Sequence, residues 1–428
     1  MAEDLFSHYL AYTDGGEVPA SFNRWSAIAG VAAILERNTC VAFGTSEIFP
    51  NIYTMLIGNA GTRKSSAIKQ IKKLLIASGY LTIAAERTTK EKFLYDLAHK
   101  SHALDDPKDG GILDELFDSL DEPSDDDVTP MFIAADEAND FFGIGNTEFL
   151  SILGSLWDWS GKYENRTKTV KSDWIPNPTI TILSGNTPTG FSQAFPSSVL
   201  GQGFLSRLLL VYGEPNGKRI TIPRTPDVKE TEHIVNLLRA VKQSGVGLRS
   251  FGGSALSLLD KIYQTQPAND DTRFESYSNR RLIHLIKICL AVSAGRLESN
   301  ISEQSVIQAN TYLSYIEQLM PKAMGEFGKA KNADVSHKIL TYIANQWSPV
   351  TMKDIFKQVS GDLEKMSDLA AIIQKLTFAD KIQVVVAKGH SGFLAVRQQE
   401  VVEIDVEREG LVSYDTYLTQ EELSVLKS

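Results

Sequence analysis

The residues best placed to do chemistry are Gly58-Asn59-Ala60-Gly61-Thr62-Arg63-Lys64-Ser65-Ser66. They lie between an apolar run, Ile52 to Ile57, and a helical pattern, AIKQIKKLLIASG. A strand, a loop and a helix N-terminus in that order turn backbone N–H groups toward a bound phosphate, and the helix adds the positive end of its dipole. In such a loop Lys64 reaches the β- and γ-phosphates of a nucleotide, and the Ser65 hydroxyl ligates Mg²⁺. Arg63 stands where the strict pattern G-x-x-x-x-G-K-[ST] has its second glycine.

Three further positions complete a hydrolytic site. Met131 to Ala135 is an apolar strand pattern that ends in Asp136-Glu137. A carboxylate at that tip can hold Mg²⁺, and the adjacent glutamate can polarise the attacking water. Thr179 to Leu183 is another strand pattern, followed by Asn186, whose amide could position that water. Arg207 lies inside the apolar stretch GFLSRLLLV. A cation there is expensive unless its charge meets a partner, either an internal carboxylate or the γ-phosphate held by a neighbouring subunit.

These residues need a frame. Residues 1–50 read as helices, and 51–226 alternate strand and helix as an α/β core with a parallel sheet. Thr88-Thr89-Lys90-Glu91 reads as a capping box. Residues 227–330 show helical periodicity and would form an α-helical lid, with Pro223 and Pro226 marking the boundary. Residues 335–398 read as three helices and a hairpin turning at Gly389 to Gly392, the pattern of a winged helix, with Lys388 and His390 at the wing tip. Residues 399–428 read as a mobile acidic tail.

The 428 residues suggest two or three domains. No apolar run approaches the ~20 residues of a membrane span, so no membrane partner is expected. The start, MAEDLFSHYL, lacks a basic signal-like region. Cys40 and Cys289 are the only cysteines and stand far apart, which gives no disulfide framework and no zinc spacing, and fits a reducing cytoplasm. Net charge is −10, which argues against a protein that coats nucleic acid. Residues 105–127 hold eleven acidic residues and one lysine, so the rest of the chain is neutral. That segment reads as a solvated insertion in the core.

The order of phosphate loop, Asp-Glu strand, strand-tip Asn186 and Leu205-Ser206-Arg207 resembles an AAA+ P-loop ATPase. Within that class it is most similar to the minichromosome-maintenance helicases, whose phosphate loop G-D-P-G-T-A-K-S also lacks the second glycine. Their arginine finger sits in L-L-S-R-F-D-L, and residues 278–288, SNRRLIHLIKI, resemble their lid helix, T-x-R-Q-L-x-x-L-I-R-L. PNIYTMLIGNAGTRKS and GFLSRLLLVYG also resemble helicase-like proteins of phages and mobile elements. The resemblance implies ATP and Mg²⁺ as cofactors, Arg207 as arginine finger, Arg280 as sensor arginine and a hexameric ring working on DNA, with primase among candidate partners. It also implies that the basic segment with Lys162, Arg166, Lys168 and Lys171 is a hairpin gripping DNA in the central pore. The expected function is a replicative helicase of phage type; the alternatives are a helicase loader or initiator and an ATP-regulated DNA-binding switch.

Overall fold

A computed structural model describes residues 4–100, 127–165, 173–195, 203–266, 271–325, 333–346, 348–361, 363, 365–378, 381–387, 390–395 and 405–427. Nearly all of the acidic segment, together with Arg166, Lys168, Lys171 and Lys388, lies outside the described residues. The chain divides into two compact units, Met1–Phe327 with Asp405–Ser428, and Gly328–Ile404.

The first unit is α/β. Its sheet has the order β4-β7-β3-β8, all parallel, with β3 at Tyr53–Ile57, β4 at Thr129–Ala135, β7 at Pro178–Asn186 and β8 at Leu208–Tyr212. Every residue of β3 and β7 is buried, as expected of central parallel strands covered on both faces. Helix α1 (Leu5–Thr13) packs on α2 (Ala20–Leu35), and Ser21 to Leu35 of α2 are all buried. Small residues let the neighbours close in: a Cβ added at Gly30 would stand 2.6 Å from Ile71 Cγ1, on α3 (Lys64–Ala77). Helix α4 (Lys90–Ala98) starts at the expected residue, but its N-cap is Thr89, whose hydroxyl accepts from Lys92 N, one residue after the Thr88 that heads the capping pattern. Helices Val228–Ser244, Gly253–Gln264, Arg281–Gly295 and Glu303–Met324 occupy most of the stretch read as helical, which also holds the short strand β9 (Gly247–Arg249).

Two expectations for the first unit are corrected. The first fifty residues are not all helical: β1 (Thr39–Phe43) and β2 (Ser46–Ile48) form a hairpin around Gly44, which adopts φ +62°. Strand β1 also pairs in parallel with β9 (Gly247–Arg249), about two hundred residues away in sequence. Nor do residues 405–427 behave as a loose tail. Glu422 is buried beside α2 and accepts from Arg24 Nε at 2.9 Å and Arg24 Nη2 at 2.7 Å. The Arg24 guanidinium lies 4.4 Å from the centre of the Tyr312 ring. Asn310 Nδ2 donates to Leu411 O at 2.9 Å, and Ser413 N donates to Thr311 Oγ1 at 2.9 Å.

The second unit holds helices Ala333–Ala344, Met352–Val359 and Met366–Phe378 and an antiparallel pair, β10 (Ile382–Ala387) and β11 (His390–Ala395). Ile339, Ile343, Ile355, Leu369, Ile382 and Phe393 form its own core. Pairing reaches Ala387↔His390, so Gly392 is a strand residue opposite Val385 instead of part of the turn.

Candidate functional site: a phosphate loop and a distant pair of arginines

The candidate phosphate loop, Gly58 to Arg63, leaves the carboxyl end of β3. Gly58 N donates to Asn186 O at 3.2 Å, which ties the loop to the tip of β7. The start of the loop tolerates no side chain: a Cβ on Gly58 would lie 2.7 Å from both Gly213 O and Thr62 Oγ1. Gly61 and Arg63 take positive φ, 87° and 62°. Arginine adopts this conformation at a cost that glycine would not incur. As N-cap of α3, Arg63 lends no side chain to the first helical turn, so that turn is not capped from its own N-cap position.

Lys64 is 6% exposed and folds back into the loop. Its Nζ donates to Gly58 O at 2.7 Å, Asn59 O at 3.1 Å and Thr62 Oγ1 at 3.3 Å. Burial pushes its pKa below the usual lysine value, and the charge of Glu137 opposes that shift. An ammonium held by carbonyls inside a glycine-bounded loop is the donor that a phosphate would recruit. The loop therefore fits a nucleotide phosphate. Ser65 and Asp136 offer oxygen donors of the kind Mg²⁺ takes.

Asp136 and Glu137 follow β4, as the sequence predicts. Asp136 Oδ2 accepts from Lys69 Nζ at 2.6 Å, and this bond raises the Lys69 pKa. Lys69 escaped the sequence reading, although it stands one helical turn after Ser65 and so shares its face. Glu137 is exposed. Asn186 ends β7 directly beside the loop, buried, with Nδ2 donating to Asn139 Oδ1 at 2.8 Å and Oδ1 accepting from Thr187 N at 2.9 Å. The structure thus brings Gly58 to Ser66, Asp136, Glu137 and Asn186 to one end of the sheet.

A cleft of about 410 Å³ adjoins this end, lined in part by Tyr12, Glu17, Arg63, Gln70, Ile220 and Pro226. Glu17 pins its walls together. Its carboxylate accepts from both Nε and Nη2 of Arg63, and from Ile220 N at 2.8 Å. The bond from Ile220 and the pairing with Arg63 hold its pKa below the usual carboxylate range.

Arg207 and Arg280 are not there. Strands β3 and β8 run parallel with Tyr53 opposite Leu208 and Ile57 opposite Tyr212. The loop follows Ile57, whereas Arg207 precedes Leu208, so five strand residues, roughly 17 Å at 3.3 Å per residue, lie between them. Arg207 closes a short 3₁₀ turn, Leu205–Arg207, with Nη1 donating to Gly203 O at 2.7 Å. Its Nη2 lies 3.6 Å from Asp158 Oδ1, and Arg280 Nη1 lies 3.8 Å from Asp158 Oδ2. A cavity of about 490 Å³ beside Arg207 is lined by residues that include Thr147, Ser151, Ser155 and Gly203.

Below the two arginines is a buried layer. His284 Nε2 donates to Ser206 O at 2.9 Å, and burial drives the His284 pKa down to about 3. Lys287 Nζ donates to Phe49 O at 2.9 Å and Asn51 Oδ1 at 2.8 Å, and burial drives its pKa down to about 7. Arg280, His284 and Lys287 recur at spacings of four and three, which places them on one side of the helix Arg281–Gly295 and its N-cap.

Lys162 lies on β5 (Lys162–Asn165), which pairs antiparallel with β6 (Asp173–Pro176). Two strands therefore pair where the hairpin is expected, with the residues that join them, 166–172, outside the described residues; Lys162 Nζ lies 5.9 Å from the centre of the Trp174 ring. Among the described residues no group of three or more His, Cys, Asp and Glu side chains is placed to hold a metal ion, and no helix is long and apolar enough to cross a membrane. No protein-family model matches this chain, and no curated protein matches it.

Proposed function

We propose that this chain is an AAA+ ATPase that assembles into a ring and converts ATP hydrolysis into movement on DNA, as a cytoplasmic replicative helicase of phage or mobile-element type. One observation carries the reading: the arginines lie a full strand length from the chain's own phosphate loop. A neighbour in a head-to-tail ring brings one subunit's loop to the next subunit's arginines.

In this reading Lys64 and the loop N–H groups hold the β- and γ-phosphates, and the cleft between Tyr12 and Pro226 takes base and ribose. Ser65 and Asp136 would hold Mg²⁺, which neutralises phosphate charge, once Lys69 releases Asp136. Glu137 accepts the proton of the attacking water, and Asn186 orients that water. Arg207 and Arg280 act on the neighbour's γ-phosphate. The helices from 228 to 325 serve as lid, and the unit 328–404, three helices with a strand pair, as winged helix.

The test separates binding from chemistry. Lys64→Ala is expected to lose nucleotide binding, because the loop loses its cation. Glu137→Gln is expected to bind ATP as tightly as the wild type and to hydrolyse it about 10²–10⁴-fold more slowly, the usual worth of a general base. Equilibrium binding and single-turnover assays check both. Normal turnover in Glu137→Gln would remove that residue from the proposal.

Arg166→Ala with Lys168→Ala is expected to leave basal ATPase intact and to remove its stimulation by DNA, with a shallower salt dependence of binding. A double variant that binds and unwinds a fork like the wild type would exclude the hairpin as the DNA grip. A loader, which shares the same ATP site, predicts ATPase without strand displacement on that fork.

A further inference from the structure

Among the described residues, Asp158 is the carboxylate that faces both distant arginines, and its setting bears on what it does. Trp157 before it is buried, with its ring 5.1 Å from the His284 ring and 4.4 Å from Lys287 Nζ, centre to centre and centre to atom. Its backbone carbonyl accepts from Asn51 Nδ2 at 2.8 Å. Trp157 is therefore fixed at side chain and backbone, and the chain must deliver the next residue to the surface between Arg207 and Arg280. One oxygen of Asp158 serves each arginine, at 3.6 Å and 3.8 Å.

Both distances exceed hydrogen-bond reach, so the carboxylate acts by charge and does not itself tie up an arginine donor; Arg207 Nη1 is held by Gly203 O, and its Nη2 faces Asp158. Arg207 Nε is buried with no hydrogen-bond partner. Asp158 is half exposed, and an ion pair of that kind contributes little to stability. Its effect is on arrangement. The two guanidiniums repel each other: burial and then the charge of Arg207 depress the Arg280 pKa, while Asp158 opposes the shift. A carboxylate centred between them keeps both forks on one point. Two forks converging on one anion is also how arginines grip a phosphoryl group.

We infer that Asp158 is a positioning residue that holds Arg207 and Arg280 together in the separate subunit and yields them to the terminal phosphate of the nucleotide bound by the neighbour. This rests on the trans action of the arginines proposed above. Two cations and one carboxylate leave net positive charge for the phosphate. Being half exposed, Asp158 can turn to solvent as the phosphate arrives.

The test places the change on one side of the interface. Lys64→Ala subunits donate arginines only, and Arg207→Ala subunits donate phosphate loops only, so their mixture works through hybrid interfaces. Adding Asp158→Asn to the Lys64→Ala subunit is expected to cut the kcat of the mixture at least tenfold with KM for ATP unchanged. The same change on the Arg207→Ala subunit is expected to leave it as it was. Asp158→Glu on the arginine-donating subunit is expected to restore part of the rate, since it returns the charge. Asp158→Asn keeps the side-chain shape, and matched melting temperatures establish that both proteins fold. Equal loss from either side, or loss from neither, overturns the positioning role while the trans reading stands. A mixture with no activity even without the Asp158 change overturns both.

Discussion

An equimolar mixture of Arg207→Ala and Lys64→Ala proteins is expected to hydrolyse ATP far faster than either protein alone. Each variant by itself breaks every interface. An arginine finger is worth about 10³–10⁵ in rate in GTPases, and loss of Lys64 removes the nucleotide, so both pure proteins fall at least about a thousandfold. In a randomly mixed head-to-tail ring, roughly a quarter of the interfaces join an intact loop to an intact Arg207, which sets the expected recovery when sites fire independently. The physical ground is the register of β3 and β8, which puts the two groups at opposite ends of the sheet. Steady-state ATPase across mixing ratios checks the expectation, with subunit exchange verified by differently sized tags. A bell-shaped curve peaking near equal amounts is the expected form. A flat baseline despite exchange would mean that Arg207 serves its own subunit's fold.

Glu422→Ala is expected to destabilise the first unit by about 3–5 kcal/mol, because it leaves Arg24 charged and buried without its partner. The pair is 3% and 1% exposed and joined by two hydrogen bonds, so water cannot substitute. That loss corresponds to a fall in melting temperature of about 5–10 °C for a unit of this size. Arg24→Met combined with Glu422→Met is expected to recover most of it, since apolar residues of similar volume replace buried ion pairs at little cost. Thermal unfolding followed by circular dichroism distinguishes the cases. A single variant melting within about 2 °C of the wild type, well below that scale, would show that the segment 405–427 contributes little to the core.

The parts of the site that were legible in the sequence share a cause. The phosphate loop, the Asp136-Glu137 strand end and Asn186 each follow an apolar run long enough to specify a buried strand, so their position at a strand tip is a local property. The helices from 228 to 378 were legible for the same reason, through their apolar periodicity. Residues whose role depends on distant partners were not. Glu17 reaches Arg63 and Ile220, and β1 pairs with β9, across stretches that no local pattern connects. Asp158 carried one usable signal, an acid between two tryptophans in LWDWSG, because a buried aromatic fixes the exit of its neighbour. Glu422 carried none: the stretch QEELSVLK reads as an ordinary charged helix, and only Arg24, nearly four hundred residues earlier, makes it a core residue.

The return of residues 405–427 to α2 also bears on when the protein can finish folding during synthesis. Domains form from the N-terminus as the chain emerges. Here the first unit must wait with Arg24 unpaired while the whole of Gly328–Ile404 is translated, because Glu422 comes after it. The second unit has its own core and can fold during that interval. Release of a stable first unit is thereby conditional on a translated and cleared second unit, and a chain broken off within that unit carries a built-in defect that quality control can read.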